Sequence, residues 1–128
     1  MAWGNKMKSS QILVVDDEEF FLKLMFQTLR KEGVLVRTAQ SGEEAAHWLR
    51  REVFDLAIVD IRMERTDGFK ILEEVKRLYP QMKVIMVTGF PSPDTQALCI
   101  QKGADGYLVK PIEISELKKA IQSVLMVS

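Results

Sequence analysis

Four apolar segments of this chain run out into residues that can do chemistry. "ILVV" (12–15) leads into Asp16 and Asp17, "DLAIVD" (55–60) ends at Asp60, "KVIMVT" (83–88) at Thr88 and "GYLVK" (106–110) at Lys110. Together they offer three carboxylates, one hydroxyl and one ammonium, with no imidazole or thiol. Hard oxygen donors suit Mg²⁺, which takes one or two carboxylates, keeps several waters and welcomes a phosphate oxygen. A carboxylate beside such an ion can act as a nucleophile toward phosphorus. The Thr88 hydroxyl and the Lys110 ammonium would then stabilise the phosphoryl oxygens together with the ion. A cation would also offset the repulsion within the acidic run Asp16 to Glu19. That repulsion is about 4 kcal/mol for like charges about 4 Å apart at an effective dielectric of about 20.

Residues so far apart in sequence need a scaffold that gathers them, and hydrophobic periodicity supplies one. "ILVV" reads as a first strand. "FFLKLMFQTLRKEG" carries Leu22, Met25, Phe26 and Leu29 at helical spacing, with Gly33 as the stop. "VLVRTA" (34–39) reads as a second strand. Ser41, with Glu44 three positions later, predicts a capping box opening the helix "SGEEAAHWLRRE". The third strand is 55–60, followed by the helix "FKILEEVKRLY", which Pro80 closes. The fourth is 83–88. After the breaker-rich "GFPSP", Asp94 is the expected cap of a helix running to Gly103. The fifth strand is 106–110, and Ser115 is expected to open a last helix with Leu117, Ile121, Val124 and Leu125 on one face.

Five apolar strands alternating with five amphipathic helices predict an α/β fold with a parallel sheet covered on both faces. In open sheets of this kind ligands bind outside the carboxyl ends of the strands. Asp16, Asp17, Asp60, Thr88 and Lys110 should therefore meet at one edge.

Composition narrows the class. At 128 residues the chain suits one domain with a real core. Lys plus Arg and Asp plus Glu balance at 18 each, so no strong net field favours nucleic acid or an anionic membrane. No apolar run approaches the roughly 20 residues of a membrane span, and "MAWGNKMKSS" lacks the apolar core of a signal peptide. A single cysteine, Cys99, cannot form an internal disulfide, which suits a reducing compartment. The expected location is cytoplasmic. Residues 1–9 read as a loose N-terminal extension, part of it readable as vector-derived with Met7 as a native start, and residues 10–128 as the domain.

The motifs resemble those of the receiver domain of two-component response regulators. They are the acidic pair in "VVDDEE", "DLAIVDIRM" with Asp60 at a strand end, Gly68 eight positions later, "VTG" and "GADGYLVKP". They cover about residues 11–126 in family order. The resemblance implies a flavodoxin-like, doubly wound five-stranded parallel sheet of order 2-1-3-4-5 with five helices on its two faces, similar to the chemotaxis regulator CheY. It also implies roles. Asp60 matches the phosphoacceptor, Asp17 a direct Mg²⁺ ligand, and Asp16 a ligand acting largely through water. Arg62 matches the position whose backbone carbonyl completes the metal site. Thr88 and Lys110 match the groups that contact the phosphoryl oxygens, and Tyr107 the aromatic that changes rotamer with Thr88. Gly89 matches a small residue that leaves room for the phosphoryl donor, and the Lys110–Pro111 bond matches one that is cis.

Three features depart from the family pattern. The family usually reads Met then Pro after the acceptor, whereas Met63 is followed here by Glu64. Arg62 brings a long cation to the mouth of the site, within reach of the phosphoryl group or of Glu64. Phe20 and Phe21 follow the acids, and at most one is expected to be buried. None of these removes a reacting group.

Plainer readings apply to other residues. Glu18 and Glu19 read only as acids at a helix N-terminus. Tyr107 divides evenly between a sheet-edge aromatic and a moving switch. His47 reads as a solvated surface residue, Trp48 as partly buried, Cys99 as packed in or beside the fourth helix, and the methionines as core filler. With no cluster of histidines and thiols, zinc has no support.

The resemblance implies a signalling domain that is not a turnover enzyme. It accepts a phosphoryl group on Asp60 from a sensor histidine kinase or phosphotransfer protein, with Mg²⁺ as cofactor, and switches a downstream output. A homodimer through the fourth helix, fifth strand and fifth helix is implied by analogy, as is a covalently linked output domain. The reading favours an excised domain over a stand-alone regulator. The alternative is a phosphorylation-independent scaffold, which loss of an acid, the Thr or the Lys would suggest. A Mg²⁺-dependent phosphohydrolase would want a second acid two positions after Asp60, where Arg62 stands.

Overall fold

Successive strand residues point to opposite faces, and in "ILVV", "LAIV" and "VIMV" both sets are apolar and buried. Such strands are stable only when both faces are covered. The structure, a computed structural model describing residues 9–125, contains five strands among the described residues: β1 (Gln11–Val15), β2 (Leu35–Ala39), β3 (Leu56–Asp60), β4 (Lys83–Thr88) and β5 (Gly106–Val109). They alternate with α1 (Glu19–Arg30), α2 (Gly42–Arg51), α3 (Gly68–Leu78), α4 (Pro93–Gln101) and α5 (Ile114–Leu125). The sheet is parallel, in the order β2-β1-β3-β4-β5, as the resemblance implied.

The strand period sorts the core into two layers. Ile12, Val14, Ile58, Ile85 and Val87 meet Leu22, Met25 and Leu29 of α1 and Leu117 and Ile121 of α5 on one side. Leu13, Val15, Ala57, Val59, Val84 and Met86 meet Ala45 of α2, Ile71, Leu72 and Val75 of α3 and Cys99 of α4 on the other. Each fully buried Leu, Ile or Met side chain contributes roughly 1.5–3 kcal/mol relative to exposure. Ile12, Leu13, Ile58, Leu72 and Met86 are all in that state. No helix of the described residues is long and apolar enough to cross a membrane.

The helix ends refine the expected boundaries. Ser41 caps α2, accepting from the Glu44 N–H at 3.2 Å, but Glu44 reaches back to the Gln40 N–H at 2.8 Å, one residue beyond the reciprocal bond of a capping box. Ser92, not Asp94, caps α4, accepting from the Thr95 N–H at 3.1 Å. Pro93 then stands at the first helical position, where its missing N–H costs nothing, and Asp94 falls in the first turn. The last helix opens at Ile114, so Ser115 lies inside it. Gly33, expected to stop α1, has φ 84°, a left-handed conformation that favours glycine. Residues 1–8 of the expected extension 1–9, and residues 126–128, lie outside the described residues.

Candidate functional site

At the carboxyl edge of the sheet, β1 and β3 are neighbours, with Val14 opposite Ile58 and Val15 opposite Val59. Continuing that register brings Asp16 beside Asp60. Asp60 and Thr88 are the last residues of β3 and β4. Asp16 and Asp17 follow directly on β1, and Lys110 lies just beyond β5 rather than as its last residue as expected. The main chain is still tied to the sheet there, the Asp16 N–H donating to the Ala39 carbonyl at 3.0 Å and the Lys110 N–H to the Thr88 carbonyl at 2.8 Å, so these side chains start from a fixed edge. Asp16, Asp60 and Thr88 are buried, at 0%, 6% and 1% exposure.

Asp16, Asp17 and Asp60 each offer a carboxylate oxygen, and these atoms all lie within 4.8 Å of one another. Lys110 Nζ donates to Asp16 Oδ2 at 2.7 Å and stands 3.9 Å from Asp60 Oδ2. The Asp16 Oδ1 atom accepts from the Glu18 N–H at 2.8 Å, and Asp17 Oδ2 from the Glu64 N–H at 2.7 Å. Thr88 Oγ1 accepts from the Phe90 N–H at 3.0 Å, which leaves the hydroxyl proton to donate elsewhere. A Cβ added to Gly89 would meet nothing within 4 Å, so the space beside Thr88 is open. By contrast a Cβ on Gly68 would overlap the Asp60 carbonyl oxygen. The N-terminus of α3 can therefore press against the end of β3 only through a glycine.

Burial and crowding dominate the electrostatics. Desolvation, followed by the Asp16 charge, pushes the Asp60 carboxyl up to about 7, against the opposing pull of Lys110. Burial also raises Asp16, more than its bonds to Lys110 and the Glu18 N–H lower it. Burial alone would depress the Lys110 ammonium, but its hydrogen bonds to Asp16 and Glu18 hold it above its ordinary value. Three hard-oxygen ligands whose ionised forms repel are the donor set that suits Mg²⁺. The residues fit that ion.

Several residues around this cluster were not legible from the sequence. Glu18 is by sequence only an N-terminal acid of α1, but its side chain makes no capping bond. It accepts instead from Lys110 Nζ at 2.7 Å, across 92 positions of sequence. Phe21 lies beneath the same ammonium, 4.3 Å from ring centroid to Nζ. It is partly buried, while Phe20 is 80% exposed. The Arg62 guanidinium sits over the Phe90 ring at 5.3 Å, rather than on Glu64. Tyr107 packs against the layer of α2, α3 and α4, and its buried hydroxyl has no hydrogen-bond partner among the described residues. The Lys110–Pro111 bond is cis. Away from the site, His47 is exposed, Trp48 is half-buried and donates to the Thr38 carbonyl at 3.1 Å, and Cys99 is buried in α4.

Comparison with known proteins agrees with this geometry. The family model for the response regulator receiver domain matches residues 12–122. The transcriptional regulatory protein GlrR of Escherichia coli K12 is 37% identical over 118 residues, 92% of this chain and 27% of that protein. The transcriptional regulatory protein ZraR of the same organism is 36% identical over 114 residues, 89% of this chain and 26% of that one. The chain thus spans about a quarter of the length of these curated relatives. Among solved structures, a CheY-like response regulator receiver domain protein from Methanospirillum hungatei JF-1 superposes with a TM-score of 0.87 at 35% identity, covering 92% of this chain and 94% of that one. Sheet order, motif positions and these matches have one meaning: the chain belongs to the family of response regulator receiver domains of two-component systems.

Proposed function

We propose that this domain is a phosphorylation-controlled switch in which Asp60 takes a phosphoryl group from the phosphohistidine of a sensor kinase or phosphotransfer partner. The observation that carries the reading is the convergence of Asp16, Asp17 and Asp60 within 4.8 Å, with Lys110 3.9 Å from Asp60. Mg²⁺ would be held by Asp17, Asp60 and the Arg62 carbonyl, and through water by Asp16; once bound, it supplies positive charge that keeps the carboxylates ionised and neutralises phosphoryl oxygens.

An Asp60 carboxylate oxygen attacks phosphorus, the P–N bond breaks, and the imidazole leaves with that electron pair. Water later cleaves the acyl phosphate, returning the carboxylate and inorganic phosphate. Lys110 is near enough to follow the new charge, exchanging part of its hold on Asp16 and Glu18 for a phosphoryl oxygen. The Thr88 hydroxyl can donate to another oxygen while still accepting from Phe90. Movement at Thr88 is felt by its neighbour on β5, because β4 and β5 are paired from Ile85↔Gly106 to Thr88↔Val109. Tyr107 lies in that strand. The face of α4, β5 and α5, with Ile100 of α4 65% and Val109 of β5 38% exposed, is the surface whose affinity for a second copy or a linked output domain would change. The phosphoryl group can shift that equilibrium only by binding one conformation better than the other.

Intact-protein mass after incubation with acetyl phosphate tests this. A Mg²⁺-dependent, hydrolysable gain of one phosphoryl group, absent in Asp60→Asn, is the expected result. Folded wild-type protein that gains nothing from acetyl phosphate or from a matched kinase would favour a scaffold instead.

A further inference from the structure

The loop between β3 and α3 is fastened at several points. The Gly68 N–H donates to the Ile61 carbonyl at 2.9 Å, Arg62 and Asp67 form an isolated bridge, and Thr66 Oγ1 accepts from the Gly42 N–H at 3.1 Å. One fastening reaches into the acidic cluster: the Glu64 main-chain N–H donates to Asp17 Oδ2 at 2.7 Å. That bond exists because residue 64 has an N–H, which a proline would lack.

We infer that the Glu64 main-chain amide is a positioning group for cation binding, tying the Asp17 carboxylate to the loop that carries Arg62. The inference rests on the metal reading proposed above. Asp17 is partly exposed in the turn before α1, so little packing fixes its rotamer. A hydrogen bond to one of its oxygens sets the carboxylate plane and leaves the other oxygen for a ligand. The same bond joins two proposed donors, Asp17 after β1 and the Arg62 carbonyl after β3, that the chain otherwise supplies independently. Partners that orient metal ligands in this way typically change affinity by about 10–100-fold. The Glu64 side chain adds charge nearby, but it is the main chain that makes the bond.

Two substitutions separate the parts. Glu64→Ala removes the carboxylate and keeps the N–H, whereas Glu64→Pro removes both. Titration calorimetry of the metal-free proteins with MgCl₂ should show Glu64→Ala within about threefold of wild type and Glu64→Pro about tenfold weaker than Glu64→Ala. Amide hydrogen exchange at residue 64 of the wild-type protein, followed by NMR, should be slowed both without and with Mg²⁺. It decides the matter even if the proline variant does not fold. Equal affinities for the two folded variants, or an amide exchanging at the unprotected rate, would overturn the inference and leave the metal reading intact. A wild-type protein that binds no Mg²⁺ would overturn both.

Discussion

The Lys110 ammonium donates to the Glu18 carboxylate at 2.7 Å, while the Asp60 carboxylate stands 3.9 Å away. Glu18 therefore competes for the cation that a phosphoryl group on Asp60 would need. Its side chain is 65% exposed, and an exposed pair is worth at most about 1 kcal/mol, a factor of about five. Glu18→Gln should speed phosphorylation by acetyl phosphate by about two- to fivefold. Glu19→Gln, which removes a neighbouring charge with no bond to Lys110, should have a smaller effect. Stopped-flow measurement of both rates checks this, and equal effects would reduce Glu18 to general electrostatics.

Metal-free stability should depend on pH through Asp60. Its carboxyl titrates near 7 in the fold against 3.8 ordinarily. Because the folded value is the higher one, ionisation costs the folded state more. No penalty applies below about pH 4; stability falls as pH rises from about 4 to about 7 and is flat above. A pKa difference of about three is worth about 4 kcal/mol as an upper figure. In EDTA, Asp60→Asn should be about 2–4 kcal/mol more stable than wild type at pH 8, with a much smaller difference at pH 4. Asp16, raised in the same direction, should leave the variant a residual fall with pH. Urea unfolding at both pH values reads the outcome, and a less stable variant at pH 8 would contradict the assignment.

Gly68→Ala should be severe. Its Cβ would overlap the Asp60 carbonyl oxygen and lie 2.8 Å from Ile61 Cα, both main-chain atoms that cannot rotate away. Overpacking of this kind costs about 1–3 kcal/mol or more. The displaced end of β3 should also weaken Mg²⁺ binding. Urea unfolding with MgCl₂ titration checks both effects, and wild-type stability would show that α3 can recede at no cost.

Tyr107→Phe should stabilise the resting protein or leave it unchanged. The hydroxyl is buried without a partner, and such a group costs about 1–3 kcal/mol relative to its hydrated state. An increase of about 1 kcal/mol in unfolding free energy is expected, and a comparable loss would mean that the hydroxyl is bonded in solution.

The parts legible in the sequence are those written in local pattern. β-branched runs ending in Asp16, Asp60 and Thr88 announced both the sheet and the edge where these side chains meet, because strand period and burial are encoded residue by residue. The cap of α4 is Ser92 rather than the expected Asp94, and its signal is present in the sequence: serine directly before Pro93 outranks Asp94, since proline belongs at the first helical position. Contacts between remote side chains left no local trace. Glu18 meets Lys110, and Arg62 covers Phe90, only once β1, β3, β4 and β5 lie side by side. The Glu64 bond to Asp17 is subtler still, because a main-chain donor is the same for every residue except proline.

The proposed switch requires that Asp60 become an acyl phosphate. Borohydride reduction after treatment with acetyl phosphate and Mg²⁺, followed by peptide mass analysis, tests it most directly. Reduction converts an aspartyl phosphate to homoserine. Homoserine at position 60, dependent on both Mg²⁺ and donor, is the predicted result; homoserine at Asp16 or Asp17 instead, or at none of the three in a protein that binds Mg²⁺, would contradict it.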